Sequence, residues 1–117
     1  MFLMIFLAAA ISVVDGDTVR LDGVTYRLLG FDTPETFYAQ CSYERRLGSA
    51  ATKRLEELIR NATTVELEKT NRSCKWLRLC ARLVIDGEDV ASIMVREGHA
   101  VPYEGETKRR DWCAPPS

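Results

Sequence analysis

Asp17, Arg27, Asp32, Glu35 and Arg78 are side chains with one obvious joint use. Two aspartates offer hard oxygen ligands, two guanidiniums can each grip a pair of phosphate oxygens, and a glutamate can take a proton from water. Together they meet the needs of phosphodiester hydrolysis. Taken singly, most of them read more plainly. Asp15 and Asp17 flank Gly16 as turn residues do, and a glutamate just after Pro34 is ordinary surface. Arg27 is the exception, because it stands between Tyr26 and Leu28 in an apolar stretch. A charged side chain there is costly unless it meets an anion, either a structural carboxylate or a phosphate. Pro34 disfavours helix at Thr33 and keeps it extended, so the Thr33 carbonyl can be aimed away from its strand as a third oxygen. Carboxylates plus a carbonyl suit calcium, and positions left open on such an ion can polarise a phosphate. An EF-hand loop is excluded, since Val19 and Leu21 fall where it needs oxygen donors.

The elements that must position these residues are legible as patterns. β-Branched residues dominate from Ile11 to Leu21, Asp22-Gly23 signals a tight turn, and alternation resumes from Val24 to Phe31, which predicts a hairpin. Ser42 reads as a helix N-cap with Glu44 in the first turn. Leu47, Ala50 or Ala51, Leu55, Leu58 and Ile59 then recur at helical spacing as far as Asn61. Thr63 to Lys69 alternates as a strand, Thr70 to Lys75 is polar and reads as a loop, and Leu77 to Ile85 is a further strand ending in Asp86-Gly87. A second helix is expected from Val90 to Glu97, with Val90, Ile93 and Met94 inward and Gly98 as its stop. From Pro102 onward the tail reads as irregular. This order predicts a small α+β domain, mainly β, whose roughly five short strands avoid bare edges by closing into a barrel.

At 117 residues, 46% of them apolar and 28% charged, the chain suits one domain over 11–117, preceded by the apolar segment 1–10. That segment resembles part of an export signal, is too short to cross a membrane, and competes with a first strand over Ala8 to Val14. The net charge of −1 gives no global field for a polyanion, so nucleic acid must be held by local cations. One such group, Arg45, Arg46, Lys53 and Arg54, shares its helix with Glu44, Glu56 and Glu57 and reads as a solvated face. Others gather at Lys69, Arg72, Lys75, Arg78 and Arg82, and at Lys108 to Arg110. Cys41, Cys74, Cys80 and Cys113 have no Cys-x-x-Cys spacing, and His99 is the single histidine, which argues against zinc. Two disulfides in three alternative pairings, or four reduced thiols, fit the count.

Two strings, Val14-Asp15-Gly16-Asp17-Thr18-Val19 and Arg27-Leu28-Leu29-Gly30-Phe31-Asp32-Thr33-Pro34-Glu35-Thr36, closely resemble the staphylococcal nuclease, or thermonuclease-like, family. The likeness runs from about Ile11 to about Tyr103. It implies an OB-fold five-stranded barrel with two to three short helices, and a calcium-dependent nuclease that cuts DNA and RNA and leaves 3′-phosphate ends. By position Asp17, Asp32 and the Thr33 carbonyl would hold calcium. Arg27 and Arg78 would bind phosphate and Glu35 would be the general base. Lys75, Trp76 and Tyr103 resemble residues of the nucleotide pocket. The expected substrate is single-stranded or frayed nucleic acid, with no stable membrane insertion, a monomeric state, and export to the periplasm or medium. Three departures bear on this, one being an Asp22-Gly23 hairpin tighter than the family prototype's. Trp76-Leu77 stand where the family has Tyr-Gly, and the family's last helix is missing after Tyr103, where a disulfide through Cys113 would compensate. The competing expectation is a nuclease-like barrel that binds nucleic acid or a protein without cutting.

Overall fold

The computed structural model describes residues 2–6, 10–105 and 109–114. Strands β1 (Phe2–Phe6), β2 (Ser12–Asp15), β3 (Thr18–Leu21) and β4 (Val24–Leu28) are followed by the short β5 (Gly30–Asp32) and helix α1 (Ser42–Arg60). Then come β6 (Val65–Cys74), β7 (Arg78–Ile85), β8 (Glu88–Asp89), helix α2 (Val90–Arg96) and β9 (Val101–Tyr103). The sheet order is β1-β6-β7-β4-β3-β2, with β8 added to β7 and β5 paired with β9 as a separate ribbon. Its two edges, β1 and β2, belong to one stretch of chain. Only residues 7–11 separate them, and a chain that short spans about 20 Å at most. Counting β1 and β2 as halves of one bent strand gives five strands, the expected α+β barrel topology. The β4–β7 pairing is parallel and sets Arg27 beside Cys80.

Alternation decides the interior. Val19, Leu21, Leu28, Leu67 and Leu83 leave the strands on the inner face, and Phe31 from β5 joins them fully buried. Helix α1 adds Ala51, Leu55 and Ile59, and α2 adds Val90, Ile93 and Met94, the three residues expected to face inward. Gly98, at φ 82°, ends α2 as expected, with the His99 N–H donating to the Met94 carbonyl at 2.9 Å.

Several expectations need correction. The polar run expected as a loop over Thr70 to Lys75 is strand as far as Cys74, where β6 ends, and only Lys75 falls in the turn. A Cys74–Cys80 disulfide joins this end of β6 to β7, and the Thr70 hydroxyl donates to the Cys80 carbonyl at 2.8 Å. Covalent and hydrogen-bonded pairing thus overrides a polar composition. The tail from Pro102 is not irregular at its start, since Pro102 lies opposite Phe31 in the β5–β9 ribbon. Such an edge needs no N–H from a proline. Cys41, not Ser42, caps α1, its sulfur accepting the Glu44 N–H at 3.4 Å. The first strand expected over Ala8 to Val14 begins only at Ser12, and Ala8 and Ala9 lie outside the described residues, as do Lys108, Pro115 and Pro116.

Candidate active site

A register shift in the β2–β3 pair between Val13 and Asp15 throws the Asp15-Gly16-Asp17 turn off the sheet. Gly16 is wedged there: a Cβ on it would sit 2.8 Å from the Thr33 hydroxyl and 2.9 Å from the Ala51 methyl. The turn is thereby pressed between β5 and α1. Asp17 is buried, and its Oδ2 accepts both the backbone N–H and the hydroxyl of Thr33 at 3.1 Å. Arg27 Nη2 lies 3.4 Å from Asp17 Oδ2 and 3.2 Å from Asp32 Oδ1, so both aspartates face one nitrogen. Its Nη1 donates to the Leu28 carbonyl at 2.5 Å. The costly strand arginine is explained. Arg78 comes from the start of β7, the strand beside Arg27's β4, donating from Nη1 to the Thr18 hydroxyl at 3.1 Å and from Nε to the Lys75 carbonyl at 2.8 Å.

Glu35 is held by its backbone. Its N–H and that of Gln40 donate to the two oxygens of Glu44, at 3.0 and 2.9 Å, so one buried carboxylate clamps both ends of the loop between β5 and α1. Glu44 therefore does not neutralise the helix cations, contrary to expectation. Gly48 of α1 lets the loop lie flat on the helix, since a Cβ there would come within 2.8 Å of the Glu35 carbonyl carbon and the Pro34 oxygen. A Cys41–Cys113 disulfide fastens the C-terminal segment to the same loop.

That segment delivers a residue the sequence reading did not single out. Arg109 donates to Asp32 Oδ2 at 3.0 Å and to the Thr33 carbonyl at 3.4 Å, and pairs with Glu35 Oε1 at 2.9 Å. The basic run Lys108 to Arg110 marked it only as a cation, because the partners that place it in the site come from 74 to 77 positions earlier in the chain. Asp15 is the second omission. Burial, then the Asp17 charge beside it, push its carboxyl up to about 7. Burial also pushes Asp17 up, but Arg27 and the bonds from Thr33 outweigh it and hold that carboxyl below the usual range. Burial wins at Asp32, which is raised despite Arg109. Burial and then the nearby Arg27 charge lower Arg78. Two guanidiniums that repel each other in one spot favour an anion between them.

Asp32 and the Thr33 carbonyl already converge on a cation, the Arg109 guanidinium, so the donor set fits a hard metal ion. Among the described residues no cluster of three or more His, Cys, Asp or Glu forms a closed metal cage. Such an ion would lean on carbonyl, water and substrate oxygens. A shallow groove lined by Arg27, Phe31, Arg72, Cys74 and Tyr103 opens beside the cluster. Lys75 and Trp76 stand exposed at the tip of the β6–β7 hairpin, one and two residues from the groove's Cys74. The structure thus brings Tyr103 to Arg27 and leaves Trp76 at the rim.

The chain matches the family model described as staphylococcal nuclease homologue over residues 25–113, and it belongs to that family. It is 36% identical over 108 residues to the SPbeta prophage-derived endonuclease YokF of Bacillus subtilis (strain 168), covering 84% of this chain and 36% of YokF. Similarity to endonuclease YncB of the same organism is 35% over 108 residues, covering 84% of this chain and 50% of YncB. The chain therefore spans half or less of each of these relatives. Asp15 and Asp17 precede the span of the family model, so their place in the site rests on geometry.

Proposed function

We propose that this chain is a calcium-dependent endonuclease that hydrolyses phosphodiester bonds of DNA and RNA with little sequence preference and leaves 3′-phosphate ends. One observation carries this reading: Arg27, Arg78 and Arg109 meet Asp17, Asp32 and Glu35 around one buried-to-exposed boundary. Asp17, Asp32 and the Thr33 carbonyl would hold calcium, which when bound supplies a Lewis acid for the phosphoryl oxygen. Arg27 leaves its carboxylates to grip two phosphate oxygens, a match of fork to oxyanion. Glu35 accepts the proton of a water whose oxygen bonds to phosphorus. The bond from phosphorus to the 5′ oxygen breaks, and Arg78 stabilises the charge on that departing oxygen. Lys75, Trp76 and Tyr103 hold the adjoining nucleotide, with rings stacking on bases without reading them. The protein acts as an exported monomer.

A barrel that binds nucleic acid without cutting is the competing reading, and the Arg109 contact on Glu35 favours it. Glu35→Gln separates the two. It should preserve the fold and nucleic-acid binding but cut single-stranded DNA about 100- to 10,000-fold more slowly. The parent should need calcium, lose activity to a chelator and yield 3′-phosphates by end-group analysis. Parental cleavage at the variant's rate would sink the assignment of the base.

A further inference from the structure

Phe37 and Tyr38 are 90% and 84% exposed, yet the loop that carries them is among the most constrained in the molecule. Glu44 clamps it by the N–H groups of Glu35 and Gln40, the Ala39 N–H closes a turn onto the Thr36 carbonyl at 3.3 Å, and the Cys41–Cys113 bond anchors its end. Side chains on such a backbone do not retreat from water by moving the chain. Two bare rings held out on a stiff loop are poorly accounted for by stability, since they bury almost nothing.

Their place suggests a use. Phe37 is two residues beyond Glu35, within about 7 Å of backbone. The groove with Tyr103 meets the same carboxylate cluster through Arg27, which lines the groove and pairs with Asp32. A strand whose phosphate sits at the cluster would have that groove and the Phe37–Tyr38 loop both within reach of its neighbouring bases. Tyr43, 53% exposed, and Arg45 and Arg46 on the first turns of α1 continue the surface, with the Arg46 guanidinium 5.9 Å from the Tyr43 ring centre. Aromatic faces interleaved with cations suit a single strand, whose unpaired bases stack while its phosphates meet the charges. A paired base has no free face to offer.

We propose that Phe37 and Tyr38 form a second nucleobase-stacking subsite, separate from the Tyr103 groove, which selects unpaired nucleic acid. The subsite rests on the nuclease reading above, and its test keeps the two apart. In the Glu35→Gln chain with calcium, anisotropy of a labelled oligothymidylate is compared with that of an abasic phosphodiester oligomer of equal length. Adding Phe37→Ala and Tyr38→Ala should weaken oligothymidylate about 10- to 100-fold and leave the abasic oligomer within about twofold, the loss expected for one or two stacked bases. Phe37→Trp with Tyr38→Phe should restore binding. Equal binding of oligothymidylate with and without the two rings overturns the subsite alone. A parallel loss on both polymers also overturns it, because the rings would then serve the loop rather than a base. Loss of co-sedimentation with anionic phospholipid vesicles, with DNA binding unchanged, would assign the pair to a lipid surface instead. A Glu35→Gln parent that holds neither polymer overturns the nuclease reading and the subsite with it.

Discussion

Arg109 changes what each carboxylate in the site must do. Its guanidinium touches Asp32, the Thr33 carbonyl and Glu35, two of them expected metal donors and the third the proposed base. Buried carboxylates left without a cation are costly, so the arginine stabilises the metal-free protein. The same contact must be released before a metal ion reaches Asp32. Arg109→Ala should therefore bind calcium about 5- to 20-fold more tightly by isothermal titration calorimetry, while the metal-free variant melts at a lower temperature. Unchanged or weaker calcium binding would show that Arg109 does not compete for those oxygens. Arg27 is likewise engaged, since Nη2 pairs with both Asp17 and Asp32, and those contacts must be given up before it can grip a phosphate.

Two elements owe their function to single backbone positions. Helix α1 reaches the Glu35 loop only because Gly48 has no side chain. A helix-interior glycine replaced by alanine normally gains about 1 kcal/mol. Here Gly48→Ala should instead lose about 1 to 3 kcal/mol in urea unfolding, because the methyl meets backbone that cannot yield, and the folded fraction should cleave more slowly as Glu35 is displaced. A gain in stability would show that the loop can move away at little cost. At the β6–β7 hairpin, Trp76 and Leu77 take φ of 66° and 59°, conformations that glycine adopts freely and leucine does not. Leu77 is fully exposed, so it gains nothing from packing. Leu77→Gly should raise stability by about 0.5 to 1 kcal/mol, the left-handed strain relieved less the extra freedom of the unfolded chain. A lower melting temperature would mean that the turn carries no strain. The Arg78 Nε bond to the Lys75 carbonyl closes this turn, so the departure from Tyr-Gly bears directly on how that arginine is aimed.

Across the whole molecule, the Cys41–Cys113 bond links positions 72 apart and draws the C-terminal segment onto the site. Loop-closure entropy for a span of that size contributes about 4 kcal/mol, and native disulfides of small domains are worth about 2 to 5. Replacing both cysteines by serine should lower unfolding free energy within that range. It should also tighten calcium binding in the same direction as Arg109→Ala, because the arginine loses its tether. If stability fell while calcium affinity stayed constant, the bond would be a staple and nothing more. No helix among the described residues is long and apolar enough to cross a membrane.

Type and period were legible in the residues: the hairpin at Asp22-Gly23 and both helices with their inward faces follow from local order, while the Asp17, Arg27, Asp32, Glu35 and Arg78 set came from the family resemblance. The hairpin and helices depend on neighbours within a few positions, which a linear reading can see. Tertiary structure alone decided that Arg109 closes over Asp32 and Glu35, that Glu44 clamps a loop instead of pairing on its helix, which cysteines join, and that Thr70 to Cys74 is strand. Each of those outcomes depends on partners brought from distant parts of the chain, and the burial that sets their charge arises only once the barrel has closed.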